Sequence, residues 1–230
     1  HTYTKKCKKP FDSLIGDTMQ ATMQALCSDI PGTVLGYTQS DEITIVCKYT
    51  DRIVSQAWFK GRVRKIETCA AAKATKYFNK FFAENLDKLI KESDETDDYI
   101  KNMKKKCWTA EFDARVFNIP EWDCINNVIW RQQDAIRNSV EMVGHCYYSA
   151  KELNKVNNEQ IKEKLLTEKN IDWNKFPYYN QRGTFCYVEY VKKEVHGKTA
   201  LRREWTITKH PRIIQKWREW FHDITGLNED

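Results

Sequence analysis

Between Thr33 and Tyr49 the side chains alternate, and a period of two suits an extended strand with one face buried. Thr33–Tyr37 and Glu42–Tyr49 both read as strands: Ile43, Ile45 and Cys47 take turns with Thr44 and Val46. The polar stretch Thr38-Gln39-Ser40-Asp41 joins them as a hairpin. On either side the period becomes helical. Leu14, Thr18, Met19, Met23 and Leu26 predict a helix over 13–28, with Pro10 before it, Asp12 or Ser13 as its cap, and Pro31-Gly32 breaking the chain after it. Phe59, Val63, Ile66, Ala70, Ala74, Tyr77, Phe78 and Phe81 predict a long helix over 57–82.

Further along, residues 84–106 are charge-rich and read as a solvated helix or a mobile insertion. Phe112–Ile119 reads as a strand stopped by Pro120. A helix follows from Trp122 to Val143, with Ile125, Val128, Ile129, Gln132, Ile136, Val140 and Val143 in phase, and a short one covers 158–168. Strands at 184–191 and 203–208 flank a Lys/His/Gly turn. A last amphipathic helix over 212–224 puts Ile213, Ile214, Trp217, Trp220, Phe221 and Ile224 on one face, with Pro211 at its start. This order gives an α+β fold, a mixed or antiparallel sheet covered by helices.

Composition narrows the class. With 41% hydrophobic and 30% charged residues the chain is globular rather than disordered, and its apolar runs are far too short to span a membrane. A net charge of +6 permits a phosphate-rich partner without requiring one. The eight cysteines are widely spaced, the nearest two being Cys107 and Cys124, so no zinc-ribbon spacing exists; they read as reduced core residues in a reducing compartment. No secretory signal opens the chain, and a start at His1 rather than Met leads us to expect a segment upstream.

Three groups of residues could carry chemistry. Asp41, in Ser40-Asp41-Glu42 at the hairpin tip, is placed to bind a hard cation such as Mg²⁺, or to make a local turn bond. Lys9, Arg62, Arg64 and Lys65 could neutralise a triphosphate, or be ordinary solvated cations. In Trp130-Arg131-Gln132, followed by Arg137-Asn138-Ser139, the polar side chains could read bases or hold phosphates; alternatively Trp130 faces the core and its neighbours are solvated.

As an ordered set these residues become specific. Lys9-Pro10-Phe11-Asp12, Gly36-Tyr37-Thr38-Gln39-Ser40-Asp41-Glu42-Ile43, Ala57-Trp58-Phe59 with Lys65-Ile66, Phe112-Asp113-Ala114-Arg115-Val116, Trp130-Arg131-Gln132 with Arg137-Asn138-Ser139, and Ile171-Asp172-Trp173-Asn174 with Arg182-Gly183 occur in that order. The set resembles the tRNA-His guanylyltransferase superfamily, and more closely its Thg1-like branch of reverse (3′-to-5′) polymerases, over residues 1 to about 190.

The resemblance implies a polymerase palm-like sheet covered by helices, with 1–120 as the catalytic core and 121–230 as a helical and hairpin region in the same or a closely packed domain. It implies a nucleotidyltransferase that adds nucleotides to the 5′ end of tRNA by two-metal-ion (Mg²⁺) chemistry, with ATP or GTP as activating nucleotide and NTPs as substrates. Asp41 then binds metal, Ser40, Lys65, Lys9 and His1 contact nucleotide, and Arg115, Arg131, Asn138, Lys155 and Arg182 surround the nucleotide or the RNA. A homotetramer in the cytoplasm or mitochondrion, with no membrane partner, is also implied.

Two departures refine this. Guanylyltransferases proper carry His-Ile-Asn-Asn where this chain has Ile136-Arg137-Asn138-Ser139, which favours template-dependent repair of tRNA 5′ ends over dedicated addition to tRNA-His. The family's Asp-Gly strand, which carries the second metal-binding Asp, would lie upstream of His1. A tRNA-His guanylyltransferase proper and a non-catalytic tRNA-binding relative are the alternatives.

Overall fold

Asp12 starts the first helix. Its carboxylate accepts from the Leu14 amide at 3.0 Å, satisfying a donor that every helix leaves free at its N-terminus. Helix α1 (Ser13–Asp29) then buries Leu14, Met19, Met23, Leu26 and Cys27 along one stripe. The structure is a computed structural model and describes residues 3–49, 56–92, 94–195, 198–208, 214–216 and 218–227.

Strands β1 (Thr33–Gln39) and β2 (Glu42–Cys47) pair antiparallel with Gln39 opposite Glu42. The turn is therefore only Ser40-Asp41. Thr38 and Gln39 extend the ladder instead of belonging to the turn, because Thr38 pairs with Ile43 and its hydroxyl donates to the Glu42 carbonyl at 2.9 Å. The second hairpin, β3 (Thr184–Val195) and β4 (Lys198–Ile207), is longer than its apolar pattern predicts; its turn at 196–197 lies outside the described residues. The four strands form one antiparallel sheet in the order β2-β1-β3-β4. Two of its strands come from residues 1–120 and two from 121–230.

Central strand β1 is covered on both faces. On one side lie α1 and α2 (Val63–Glu92), with Ile43 and Ile45 of β2 packed against Leu26, Ile30 and Ala74. A Cβ at Gly36 would sit 2.4 Å from Cys27 Sγ and 2.9 Å from Met23 Cγ, so α1 crosses β1 where the strand carries no side chain. On the other side Leu35, Tyr37 and Phe185 meet Ile125, Val128 and Ile129 of α4 (Cys124–Tyr147) and Phe221 of the last helix (Arg218–Thr225). The expected apolar stripe of α4 is thus the stripe it buries. Trp130, however, is 57% exposed and does not face the core.

The long second helix differs from its pattern. A single 3₁₀ turn, Trp58–Gly61, precedes it, and α2 runs on to Glu92. Phe59 and Val63 are exposed, and the buried stripe is Ala74, Phe78, Asn79, Phe82 and Leu86. The charged stretch beyond it continues α2 and then forms α3 (Asp97–Lys104), capped by the Thr96 hydroxyl and anchored by buried Met103.

Residues 112–119 are not a strand. The alternation is real, with Phe112, Ala114 and Val116 half-buried between exposed neighbours, but the backbone partners are side chains of α2 rather than a second strand. Asn79 accepts from the Ala110 amide at 3.1 Å and donates to the Ala110 carbonyl at 2.9 Å; Thr75 Oγ1 accepts from the Phe112 amide at 3.0 Å; Glu67 Oε1 accepts from the Val116 amide at 3.3 Å.

The remaining helices are α5 (Asn158–Lys169), opened by a reciprocal Asn157–Gln160 capping box, α6 (Tyr178–Arg182), and α7 (Arg218–Thr225) after a 3₁₀ turn at Ile214–Lys216. The expected Pro211, Ile213 and Trp217 of the last helix lie outside the described residues. All eight cysteines are free thiols, but only Cys27, Cys124 and Cys186 are core residues, and Cys146 is exposed. Among the described residues no helix is long and apolar enough to cross a membrane.

Asn79 tests how the extended segment is held. Asn79→Leu strands the buried amide and carbonyl of Ala110, so stability should fall by about 2–4 kcal/mol. Urea unfolding should show a lower midpoint at unchanged slope; an unchanged midpoint would mean the segment is held by other contacts.

Candidate active-site cleft

Asp41 stands exposed at the β1–β2 turn, and its carboxylate has no hydrogen-bond or ion-pair partner among the described residues. The preceding Ser40 takes a left-handed backbone (φ 49°), as a two-residue hairpin turn requires. Asp41 lines a cleft of about 700 Å³. Lys5 and Lys6 of the N-terminal segment and Lys105 and Lys106 after α3 line the cleft too, as do Glu111 and Asp113 of the extended segment.

The lysine-bearing elements are fastened to each other. The Tyr3 hydroxyl donates to the Lys106 carbonyl at 3.1 Å, the Lys106 amine donates back to the Tyr3 carbonyl, and the Tyr3 ring meets Phe78 and Phe82 edge-on. Burial is the main reason the Tyr3 phenol is pushed above its usual range, so it remains a donor. Lys6 donates to Asn102 Oδ1 at 3.3 Å. Tyr99 of α3 donates to the Asp12 carboxylate at 3.0 Å, tying α3 to the cap of α1. Lys5 and Lys105 have no side-chain partner among the described residues. A cleft with unpaired ammonium groups and an unpaired carboxylate suits a polyphosphate together with a cation.

A second cluster adjoins the hairpin. Glu42 Oε2 accepts from Arg131 of α4 at 3.0 Å, and the Arg131 guanidinium lies 5.1 Å from the Trp130 ring centre. The Tyr37 hydroxyl donates to the Arg182 carbonyl at 2.9 Å, and Gln132 Oε1 accepts from the Ile214 amide at 2.8 Å. Burial foremost, then the negative charges of Asp134 and Glu42, hold the Tyr37 phenol protonated. Gly183 permits this approach: its φ is +75°, and a Cβ there would lie 2.5 Å from Tyr37 Oη. Asn138 donates to Asp134 at 3.0 Å, and the Arg182 guanidinium lies 4.6 Å from the Tyr178 ring centre.

The expected site residues therefore fall into separate places. Asp41 and Ser40 are at the cleft, and Arg131 reaches the same turn through Glu42. Asn138 lies on α4 beyond Arg131, and Arg182 is joined to β1 through Tyr37. Arg115 is exposed beside Asp113, 3.9 Å away. Lys65 sits in the first turn of α2, its amine 5.9 Å from the Phe59 ring centre, and does not line the cleft. Lys9 lies near the Cys146 thiol at the end of α4, and Lys155 is exposed in the turn before α5. His1 lies outside the described residues. Among the described residues no group of three His, Cys, Asp or Glu could hold a metal ion, so Asp41 fits as one ligand and no complete centre is assigned.

The family of tRNAHis guanylyltransferases matches residues 1–120. A bacterial tRNA(His) guanylyltransferase (Thg1)-like protein, solved in complex with ATP, is 34% identical, with a TM-score of 0.78 over 98% of this chain and 85% of that one. The chain belongs to the tRNA-His guanylyltransferase family. These are nucleotidyltransferases. A bacterial Thg1-like protein in complex with GTP is 31% identical, with a TM-score of 0.75 over 98% of this chain and 84% of that one. The guanylyltransferase of Saccharomyces cerevisiae is 18% identical and shares the fold, with a TM-score of 0.64 over 94% of this chain and 86% of that one. A comparison with curated proteins returned no match.

In this member of the family, the cleft lysines are what sequence reasoning passed over. Lys5-Lys6 carries no motif, and Lys104-Lys105-Lys106 reads as the end of a charged, solvated segment. The Tyr3–Lys106 bonds bring the two together, with Lys6–Asn102 and Lys8–Glu95 bonds beside them. Replacing both Lys5 and Lys105 by Ala should weaken binding of inorganic tripolyphosphate about tenfold or more in low-salt calorimetry, since each charged hydrogen bond contributes about 1.5–3 kcal/mol before solvent screening. Equal affinity would remove the cleft as an anion site.

Proposed function

We propose that this chain is a template-dependent 3′-to-5′ nucleotidyltransferase that repairs the 5′ end of tRNA, rather than a dedicated tRNA-His guanylyltransferase. The observation that carries this is the fate of Ile136-Arg137-Asn138-Ser139. Ile136 packs against the core around Val140 and Val143. Arg137 and Asn138 are both engaged by Asp134. Ser139 is buried, donating to the Gln181 carbonyl at 3.0 Å and accepting from Trp173 Nε1 at 3.2 Å. These side chains serve α4 and its packing against Trp173 and Gln181, which supports leaving the choice of nucleotide to pairing with the opposite strand of the acceptor stem. The greater identity to the bacterial Thg1-like proteins than to the yeast guanylyltransferase supports the same branch.

In this reading the ammonium groups of Lys5 and Lys105 hold the triphosphate of ATP, GTP or the incoming NTP, and neutralise charge on the leaving pyrophosphate. Asp41 contributes one carboxylate to Mg²⁺, whose chemistry is charge stabilisation on the transferring phosphate. Arg131, whose guanidinium binds Glu42 beside the turn, and Arg182 meet the phosphates of the RNA end in the same reading. A homotetramer and a cytoplasmic or mitochondrial setting belong to the same reading on the family resemblance alone.

The test is a set of 5′-truncated tRNAs that differ only in the unpaired template base, incubated with ATP, Mg²⁺ and labelled NTPs. The added nucleotide should follow that base through all its identities and stop when the stem is full; G added against every base would overturn the reading. Asp41→Ala should lower turnover about a thousandfold or more, since several kcal/mol of charge stabilisation are lost. Its circular dichroism should not change, because an exposed turn carboxylate buries little. Turnover like that of the unaltered protein would remove Asp41 from the site.

A further inference from the structure

The indole of Trp130 is out of place for a helix that packs so closely. Helix α4 buries Ile125, Val128, Ile129, Gln132, Ala135, Ser139, Val140 and Val143, yet Trp130 faces away from that stripe and is 57% exposed. Leaving so much apolar ring in water gains the fold little, so packing does not account for it. The ring is nonetheless held in place. Arg131 lies against it, 5.1 Å from its centre, and the same guanidinium is fixed to Glu42 at 3.0 Å. Glu42 is the residue after Asp41. The exposed indole is thereby tethered, through one arginine, beside the turn that carries the candidate reaction centre.

Along the helix, Asp134 and Arg137 follow Trp130 at four and seven residues in the same row and are ion-paired, Asp134 lying mostly buried and Arg137 exposed. An aromatic face with guanidinium groups beside it offers stacking to a base and charge to the neighbouring phosphates, the combination that single-stranded RNA takes. A free nucleotide would find its polyphosphate site instead at the cleft lysines.

We propose that Trp130 is the stacking platform for an unpaired RNA base next to the end being extended, with Arg131 beside the ring and Arg137 within reach of the adjoining phosphate. The inference rests on the proposed function and deepens it: a templating base must be unpaired when it is read, and stacking on Trp130 holds it out of solvent without choosing among the four bases.

The experiment measures RNA binding by the full chain without NTPs. A fluorescein-labelled acceptor-stem hairpin is used in two forms, blunt and with a short 3′ overhang. The unaltered protein should bind the overhang form more tightly. Trp130→Ala should lose about 5- to 150-fold on the overhang form and little on the blunt form, the range that base stacking supplies. Trp130→Phe should keep most of the preference, and Trp130→Leu should behave like Trp130→Ala, since bulk without a π face cannot stack. Circular dichroism should be the same for all variants, the site being exposed.

Equal loss on both RNAs, full binding by Trp130→Ala or Trp130→Leu, or a Trp130→Phe variant no better than Trp130→Ala would overturn the proposal. RNA bound through Trp130 but not extended would count against the proposed function and leave the platform standing. No binding of either RNA by the unaltered protein would overturn both.

Discussion

The pairing of β1 with β3 is the constraint on which the rest depends. It joins two hairpins far apart in sequence into one sheet, with Gly36 opposite Cys186 and Tyr37 opposite Phe185. Two absent side chains make it workable. At Gly36 the strand lets α1 cross at van der Waals distance from Cys27 and Met23, and at Gly183 it lets the Tyr37 phenol reach the Arg182 carbonyl. Non-local pairing of this kind is the slow and entropically costly part of folding, and here it is fixed by burial of β1 on both faces.

The site follows from that sheet. A two-residue turn at the tip of β1 and β2 projects Asp41 from a rigid support, which suits a group that must hold a charge in place. The opposing wall is built differently. It is a lysine-bearing N-terminal segment and the end of α3, held by Tyr3 and Lys106, together with an extended segment clipped to α2 by Thr75, Asn79 and Glu67. One wall is strand and the other is side-chain-tethered chain, so any closing of the cleft around a ligand falls to the second wall.

Much was legible in the residues because periodicity reports burial. The α1 stripe, the β1–β2 hairpin and the α4 stripe were all written in apolar spacing. The two helices bury nearly all the residues expected of them, Ile136 being half-buried, whereas in β2 every residue from Ile43 to Cys47 is half-buried and the alternation fixes only the pairing. The alternation over Phe112–Val116 was also correct about which side chains turn inward, yet it misled about the partner, since a period of two is satisfied by any extended chain on a surface. The α2 pattern failed at its start for a similar reason: Phe59 and Val63 fit the stripe, but they precede the stretch where α2 meets α1 and β2. For the site, Ser40-Asp41-Glu42 could be located from its turn chemistry, whereas Lys5 and Lys105 could not, because unpaired lysines in a charged run look alike wherever the chain puts them.

The sequence by itself determined most of the elements and the family: local periods, caps and turn residues, and six motifs in order, are properties of neighbours along the chain. Only the tertiary structure decided what those elements face. It turned Trp130 outward beside the Asp41 turn, gave Ser139 to Trp173 and Gln181, and set the lysines of two distant segments across from a carboxylate. The physical reason is that exposure and charge proximity depend on which surfaces are buried against which. That depends on the non-local β1–β3 pairing, which no local pattern encodes.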